Sequence, residues 1–240
     1  MNEFYPVTKH AKVSELIAQQ IKNAILNGTM NPGDRLPSLQ ELGKLFHASQ
    51  ISVREAIKNL EGNGLIKIKP GSGLFVAQTN PDLMAQSLSS ILRIRKTSIN
   101  ELTAARVLFE PIVARVATAE ITSDDLLRLE KNIVETSKVI ESNSQAAAMN
   151  LEFHSIIAEA TRNSVIALTM KAMFHVWLEW NLELGQLPSR VEISQRSIDY
   201  HKKILEALRQ RNSQRVEELM LEHTHHVKRG FDKIQNVENK

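Results

Sequence analysis

The side chains best suited to chemistry in this 240-residue chain are histidines. Asn150 and His154 are four residues apart and so share one helix face, which Leu151 and Ile157 mark as inward. His201 stands in an apolar stripe with Ile198, Ile204, Leu205 and Leu208, and His223 in another with Val216, Leu219, Met220 and Val227. Neutral imidazole is the commonest protein metal ligand, so inward histidines from three helices can converge on one divalent cation. The competing reading is three core histidines satisfied by hydrogen bonds. Arg106 is the other polar intruder. It interrupts an apolar stripe between Leu102 and Phe109, and it either faces a pocket or makes an i,i+4 ion pair with Glu110 on the helix surface. His175 falls off the stripe Ile166, Met170, Met173 and Trp177 and reads as surface, while Trp177 and Trp180 pack or line a pocket.

A different chemistry, contact with a polyanion, is written between Pro32 and Ala77. Ser38 and Glu41 form a capping box that starts a short helix, and Leu39, Leu42, Leu45 and Phe46 give it an apolar face. His47-Ala48 is a turn, and Ser49 is the N-cap of a second helix. In that helix Val53, Ala56, Ile57 and Leu60 fall on one side, and Gln50, Ile51, Arg54 and Lys58 on the other. Two helices joined by so short a turn are the helix-turn-helix plan, whose second helix offers its outer face to the major groove. Gly62 and Gly64 end the helix. Ile66-Lys67-Ile68-Lys69 and Leu74-Phe75-Val76 then read as a basic hairpin about the turn Pro70-Gly71-Ser72-Gly73.

These residues need elements to hold them. An amphipathic helix over 9–27, with Val13, Leu16, Ile17, Ile21, Ala24 and Ile25 on one face, backs the helix-turn-helix. A boundary falls at Gln78-Thr79-Asn80-Pro81, giving a first domain over 1–78 and a second over 81–238. The second domain reads as helices only, at about 81–95, 98–119, 123–142, 145–161, 164–184, 189–211 and 213–236. Capping boxes at Ser98–Glu101 and Ser189–Glu192 open two of them, and Pro111 predicts a kink in the helix it interrupts. The fold class is mainly α: a winged helix-turn-helix followed by an all-α bundle of about seven helices.

Composition narrows the function classes. There is no Cys, so disulfides and thiolate metal sites are excluded. No run of 18 apolar residues exists and the first ten residues lack signal-peptide features, so a cytoplasmic protein without a membrane span is expected. Residues 1–80 hold 9 Lys/Arg against 6 Asp/Glu, and the rest of the chain is balanced. The whole net charge of +3 therefore sits with the half that reads as DNA-binding.

Several strings, in order, resemble the winged-helix domain of GntR-type bacterial regulators: Gly33-Asp34-Arg35-Leu36-Pro37-Ser38, Val53-Arg54-Glu55-Ala56-Ile57, Leu60-Glu61-x-x-Gly64-Leu65 and Gly71-x-Gly73-x-x-Val76. The resemblance implies that Arg35 and Arg54 contact operator bases or backbone and that Gly73 approaches the minor groove. The implied DNA-contacting set is Arg35, Ser49, Gln50, Ile51, Ser52, Arg54, Lys58 and Gly73. One departure matters: the family usually has Arg where this chain has Gln50, and Gln suits adenine N6/N7 where Arg suits guanine O6/N7.

The second half resembles the FCD ligand-binding domain of the FadR subgroup, through Asn150-x3-His154, His201-x2-Ile204-Leu205-x2-Leu208 and His223. Of the adjacent histidines, His225 and His226 are set aside because the 22-residue step from His201 fits His223. The resemblance implies a Zn, Ni or similar divalent metal held by Asn150, His154, His201 and His223. The family's usual Asp is Asn150 here, which weakens the site or leaves room for an anionic effector to complete it. Arg106…Glu110-Pro111 matches a family element whose Arg faces a carboxylate effector, a task that suits a bidentate fork. Asn163 matches a helix-start Asn that either contacts effector or serves as an N-cap.

The reading is a homodimeric, metabolite-responsive transcription regulator, in the commoner case a repressor, that binds a palindromic double-stranded DNA operator. A small carboxylate binds its helical domain. The rivals are a metal-dependent hydrolase, since three His with an open position is also catalytic zinc geometry, and an effector-independent DNA binder. The first lacks an evident general base; the second predicts a closed core without a cavity near His154.

Overall fold

The computed structural model describes residues 12–78, 81–183 and 188–238, with only the backbone described at 81, 82, 143, 188–190 and 233–238. The chain divides into two compact units at the Asn80–Pro81 step.

The first unit contains helices α1 (Val13–Leu26), α2 (Leu39–Leu45) and α3 (Gln50–Gly62) and strands β1 (Arg35–Leu36), β2 (Ile66–Lys69) and β3 (Gly73–Val76). Its core joins Val53, Ala56, Ile57 and Leu60 of α3 to Ile17, Ala18 and Ile21 of α1, with Leu36, Leu42, Ile66, Leu74 and Val76 closing it. The rotation of α3 is thereby fixed. Ser38 caps α2 reciprocally with Glu41, at 2.8 and 3.3 Å, as its spacing predicts. Ser49 caps α3, its Oγ accepting from Ser52 N–H at 3.1 Å. His47 turns the chain between them with a left-handed φ of 49°.

The sheet is wider than the hairpin read from the sequence. Strand order is β1-β3-β2, all antiparallel, with Arg35 opposite Phe75 and Lys67 opposite Phe75 from the other side. A two-residue strand carries no alternation to detect, so β1 was not foreseen. The inward face of α1 also differs. Residues 9–11 lie outside the described residues, and Val13 and Leu16 are half exposed while Ser14, Ile17, Ala18 and Ile21 are buried. On α2, Leu42 is buried but Leu45 is mostly exposed.

The second unit comprises α4 (Pro81–Ile94), α5 (Ile99–Glu120), α6 (Ser123–Lys138), α7 (Asn143–Ala160), α8 (Ser164–Glu183), α9 (Pro188–Arg209) and α10 (Ser213–Glu238). Capping boxes start α5 (Ser98 with Glu101) and α6 (Thr122 with Asp125, not foreseen). The box expected at Ser189–Glu192 falls on Ser189, whose side chain lies outside those described; α9 begins at Pro188. Arg211, at a left-handed φ of 51°, donates to the carbonyls of Thr118, Ala119 and Ile121 and so ties the α9–α10 turn to the C-terminal end of α5.

Two apolar clusters fill this unit. One gathers Ala114, Ala117 and Ile121 with Phe153, Ile157, Ile204, Leu208 and Met220; the other gathers Leu102, Leu151, Met170, Phe174, Trp177, Val227 and Phe231. On α5 the expected stripe holds at Leu102, which is buried, but not at Phe109. Ala114, Ala117, Thr103, Arg106 and Glu110 are buried, whereas Phe109, Ile112 and Val116 are 52, 50 and 41% exposed. It runs as one helix through Pro111.

Candidate functional site

The polar centre lies where the two apolar clusters meet. Helix α5 contributes Arg106 and Glu110, α7 His154, α9 His201 and α10 His223; all five are buried. Each histidine arrives on an apolar stripe, which is why His201 and His223 enter the core at all.

Glu110 organises the group. Its Oε1 accepts from Arg106 Nε at 2.5 Å, and its Oε2 lies 2.7 Å from His154 Nδ1. Burial by itself would raise Glu110, but the Arg106 guanidinium and then His154 hold it well below the usual carboxylate range. The carboxylate is therefore anionic and stands against the Nδ1 edge of the His154 ring. His154 Nε2 lies 3.1 Å from His223 Nε2, and His223 Nε2 lies 3.3 Å from His201 Nε2. Burial above all keeps His201 and His223 neutral, with the Arg106 guanidinium acting in the same direction on both.

Three imidazole nitrogens facing one another are a good ligand set for a cation. All three lie within 4.8 Å of one another. Zn–N bonds of about 2.0–2.1 Å in tetrahedral array separate ligand nitrogens by about 3.3 Å, close to both spacings. The Glu110–His154 contact supplies the carboxylate that orients a ligating imidazole in such sites.

A cavity of about 50 Å³ opens beside this group, lined by Arg106, Asn150, His154, Trp177, Ser197 and His223 among others. The volume suits a few water-sized groups. Asn150 Oδ1 is buried without a hydrogen-bond partner. Arg106 spends Nε on Glu110; its guanidinium lies over the Trp177 ring at 4.6 Å. The i,i+4 pair with Glu110 weighed as a surface alternative thus exists, but buried and beside the cavity.

Asn163 is placed elsewhere. Its Oδ1 accepts from Val165 and Ile166 N–H at 3.0 and 3.2 Å, so it caps α8, and it does not line the cavity. Of the two roles open to Asn163, the geometry supplies the N-cap: both lone pairs are spent on the helix start. Sequence reasoning missed Glu110 as an organising residue, although a carboxylate one turn from a stripe-breaking Arg was the signal. Asn181, Ile193 and Ser194 also line the cavity and carried no such signal.

In the first unit Gln50, Ile51, Arg54 and Lys58 all lie on the exposed side of α3. Ser49 and Ser52 face each other, Oγ to Oγ, at 3.0 Å. Arg35 projects from β1 past Gly73, where a Cβ would meet its Nε at 3.2 Å. Gly73, at φ +118°, thus makes room for the arginine as well as for the turn.

The chain matches the family model for bacterial regulatory proteins of the gntR family over residues 13–76 and the FCD domain over 101–226. It is 30% identical to the HTH-type transcriptional regulator LutR of Bacillus subtilis over 85% of this chain and 94% of that protein. It is 29% identical to the Uxu operon regulator of Haemophilus influenzae over 93% and 83% of the two chains. The HTH-type transcriptional repressor NanR of Salmonella newport is 26% identical over 90% and 84%. A solved Streptococcus agalactiae GntR shares the fold, with a TM-score of 0.73 and 22% identity over 90% of this chain and 99% of that one.

The hydrolase alternative falls with these matches, and the geometry gives the reason. Glu110, the carboxylate against the histidines, sits behind His154 and is held by Arg106, so it cannot serve as a base in front of the ligands. No helix among the described residues is long and apolar enough to cross a membrane. A winged helix-turn-helix joined to an FCD domain, matched along most of its length by transcription regulators, places this chain in the GntR family as an FCD-type, FadR-like DNA-binding transcription regulator.

Proposed function

We propose that the protein is a homodimeric, cytoplasmic repressor in which residues 1–78 bind one half of a palindromic operator and residues 81–238 bind effector and dimerise. Arg35 and the outward face of α3, namely Gln50, Ile51, Arg54 and Lys58, contact DNA, with Ser49, Ser52 and Gly73 at the same surface. His154, His201 and His223 hold a divalent metal such as Zn or Ni, with Asn150 Oδ1 as a neutral fourth donor. The metal supplies a positive centre that a small carboxylate effector can ligate. Arg106 lines the same cavity and anchors that carboxylate.

One observation carries the reading: three buried imidazoles on three helices bring their Nε2 atoms to metal-ligand spacing beside a cavity. That cavity also speaks against an effector-independent DNA binder, which needs none. Effector contacts to residues of α5, α7 and α10 bias the arrangement of those helices, which is how a ligand can alter operator affinity. Relatives named as repressors support repression as the sign.

Elemental analysis of purified protein, beside His154→Ala, tests this directly. About one metal per chain, absent in the variant, is the expected outcome. Metal-free protein that takes up neither Zn nor Ni would sink the metal and leave Arg106 as the effector anchor.

A further inference from the structure

We infer that the first turn of α3 reads A·T base pairs, Gln50 hydrogen-bonding an adenine edge and Ile51 packing on a thymine methyl group. This rests on the assignment of α3 to the major groove and adds the base identities.

Burial of Val53, Ala56, Ile57 and Leu60 fixes which side chains of α3 point outward. Ser49 and Ser52 are engaged with the helix start and with each other. The first turn therefore offers Gln50 and Ile51. In helix-turn-helix docking, residues at the start of the second helix are those that reach base edges.

The Gln50 side chain is exposed and has no hydrogen-bond partner among the described residues. A carboxamide sets a donor and an acceptor side by side, which matches N7 and N6–H of adenine. Guanine offers two acceptors at that edge, O6 and N7, and would leave the amide oxygen facing another oxygen or nitrogen lone pair.

Ile51 is 75% exposed, one residue on and about 100° round the helix. A lone exposed isoleucine is ordinary on a protein surface. Its place in the reading turn gives this one a task, because the thymine C5-methyl is the apolar feature of the major-groove edge. Arg54 shares the Gln50 side one turn on, and Lys58 follows; these cations suit phosphate or guanine, so the A·T preference is confined to the first turn.

The test uses the full-length protein. Binding sites are selected from a randomised duplex pool. In the enriched site each adenine is then replaced by 7-deazaadenine, which lacks N7, and each thymine by deoxyuridine, which lacks the methyl. One adenine per half-site should weaken binding about fivefold when N7 is lost, and this sensitivity should vanish in Gln50→Ala. One thymine should weaken it about fourfold on loss of its methyl, and this sensitivity should vanish in Ile51→Ser. Gln50→Arg should move the preferred base from adenine to guanine. Both positions are exposed, so unchanged melting temperatures certify the variants. Analogue effects that persist in the variants, or guanine preferred at the Gln50-dependent position of the natural protein, overturn the inference while operator binding stands. Failure to enrich any sequence overturns the operator reading itself, and the inference with it.

Discussion

Glu110 shows how much one buried carboxylate can decide. It offsets the buried charge of Arg106 and stands 2.7 Å from His154 Nδ1 at once. Glu110→Gln keeps the volume but leaves Arg106 uncompensated, which should cost about 3–5 kcal/mol by chemical denaturation. Metal affinity should fall about 10–100-fold, since the orienting partner of a ligand is lost. Adding Arg106→Met should restore most of the stability, because a neutral pair needs no charge partner, without restoring effector response. Unchanged metal affinity in Glu110→Gln would remove Glu110 from the site. The other two histidines predict a pH dependence. His201 and His223 are held neutral in the fold, by burial first, while in the unfolded chain they protonate near 6.5. Below about pH 6.5 the unfolded state binds more protons, so metal-free protein should lose stability there by up to about 1.4 kcal/mol per pH unit per histidine. The lowered Glu110 and Asp125 carboxyls act only below the ordinary carboxylate range and leave this window alone. Urea midpoints should therefore be flat above pH 7 and fall between 6.5 and 5, with a shallower fall in His201→Gln. A flat profile down to pH 5 would mean that the folded core tolerates the charge.

At the scale of elements, α9 and α10 are held close by Gly230. A Cβ there would come within 2.6 Å of Ile193 Cδ1, and Ile193 lines the cavity. Alanine is favoured over glycine inside a helix by about 1 kcal/mol, but overpacking costs about 1–3 kcal/mol. Gly230→Ala should therefore lower the melting temperature and weaken effector binding. Ile193→Ala added to it should make room and recover stability beyond the sum of the single changes, a coupling that a double-mutant cycle measures. Strict additivity would show that the two helices separate freely. Elements differ in how plainly the sequence announces them. The stripes of α9 and α10 were legible because each histidine sits among residues that are all buried, such as Ile198, Ile204, Val216 and Leu219. The N-caps Ser38, Ser49 and Ser98 were legible because capping is a local device. Strand β1 was not, since two residues have no period and pairing with β3 is set by distant sequence. Helix α5 misled for a different reason. Periodicity finds an apolar face, but it cannot say whether the chain's own core or something else covers it, and here the core took the face with Ala114, Arg106 and Glu110.

The whole molecule must explain that uncovered face. Leu108, Phe109, Ile112 and Val116 are 66, 52, 50 and 41% exposed along two turns of α5. Contiguous exposed hydrophobics of this kind mark association surfaces rather than ordinary solvent boundary. If the operator is palindromic as proposed, a second copy of the chain is the occupant it would require, because a two-fold DNA site is matched by a two-fold protein pairing of like patches. The same helix carries Arg106 and Glu110 on its opposite side, so effector contacts and subunit pairing would share one rigid element. Phe109→Lys with Ile112→Lys places two charges on this face without touching the buried side of α5. The variant should sediment as a monomer, keep its metal content and lose at least about 100-fold in affinity for the full operator, since two half-sites then bind independently. Single half-site binding should change little. A variant that stays dimeric and keeps full operator affinity would put the pairing surface on other helices and leave the apolar face of α5 without an explanation in this assembly.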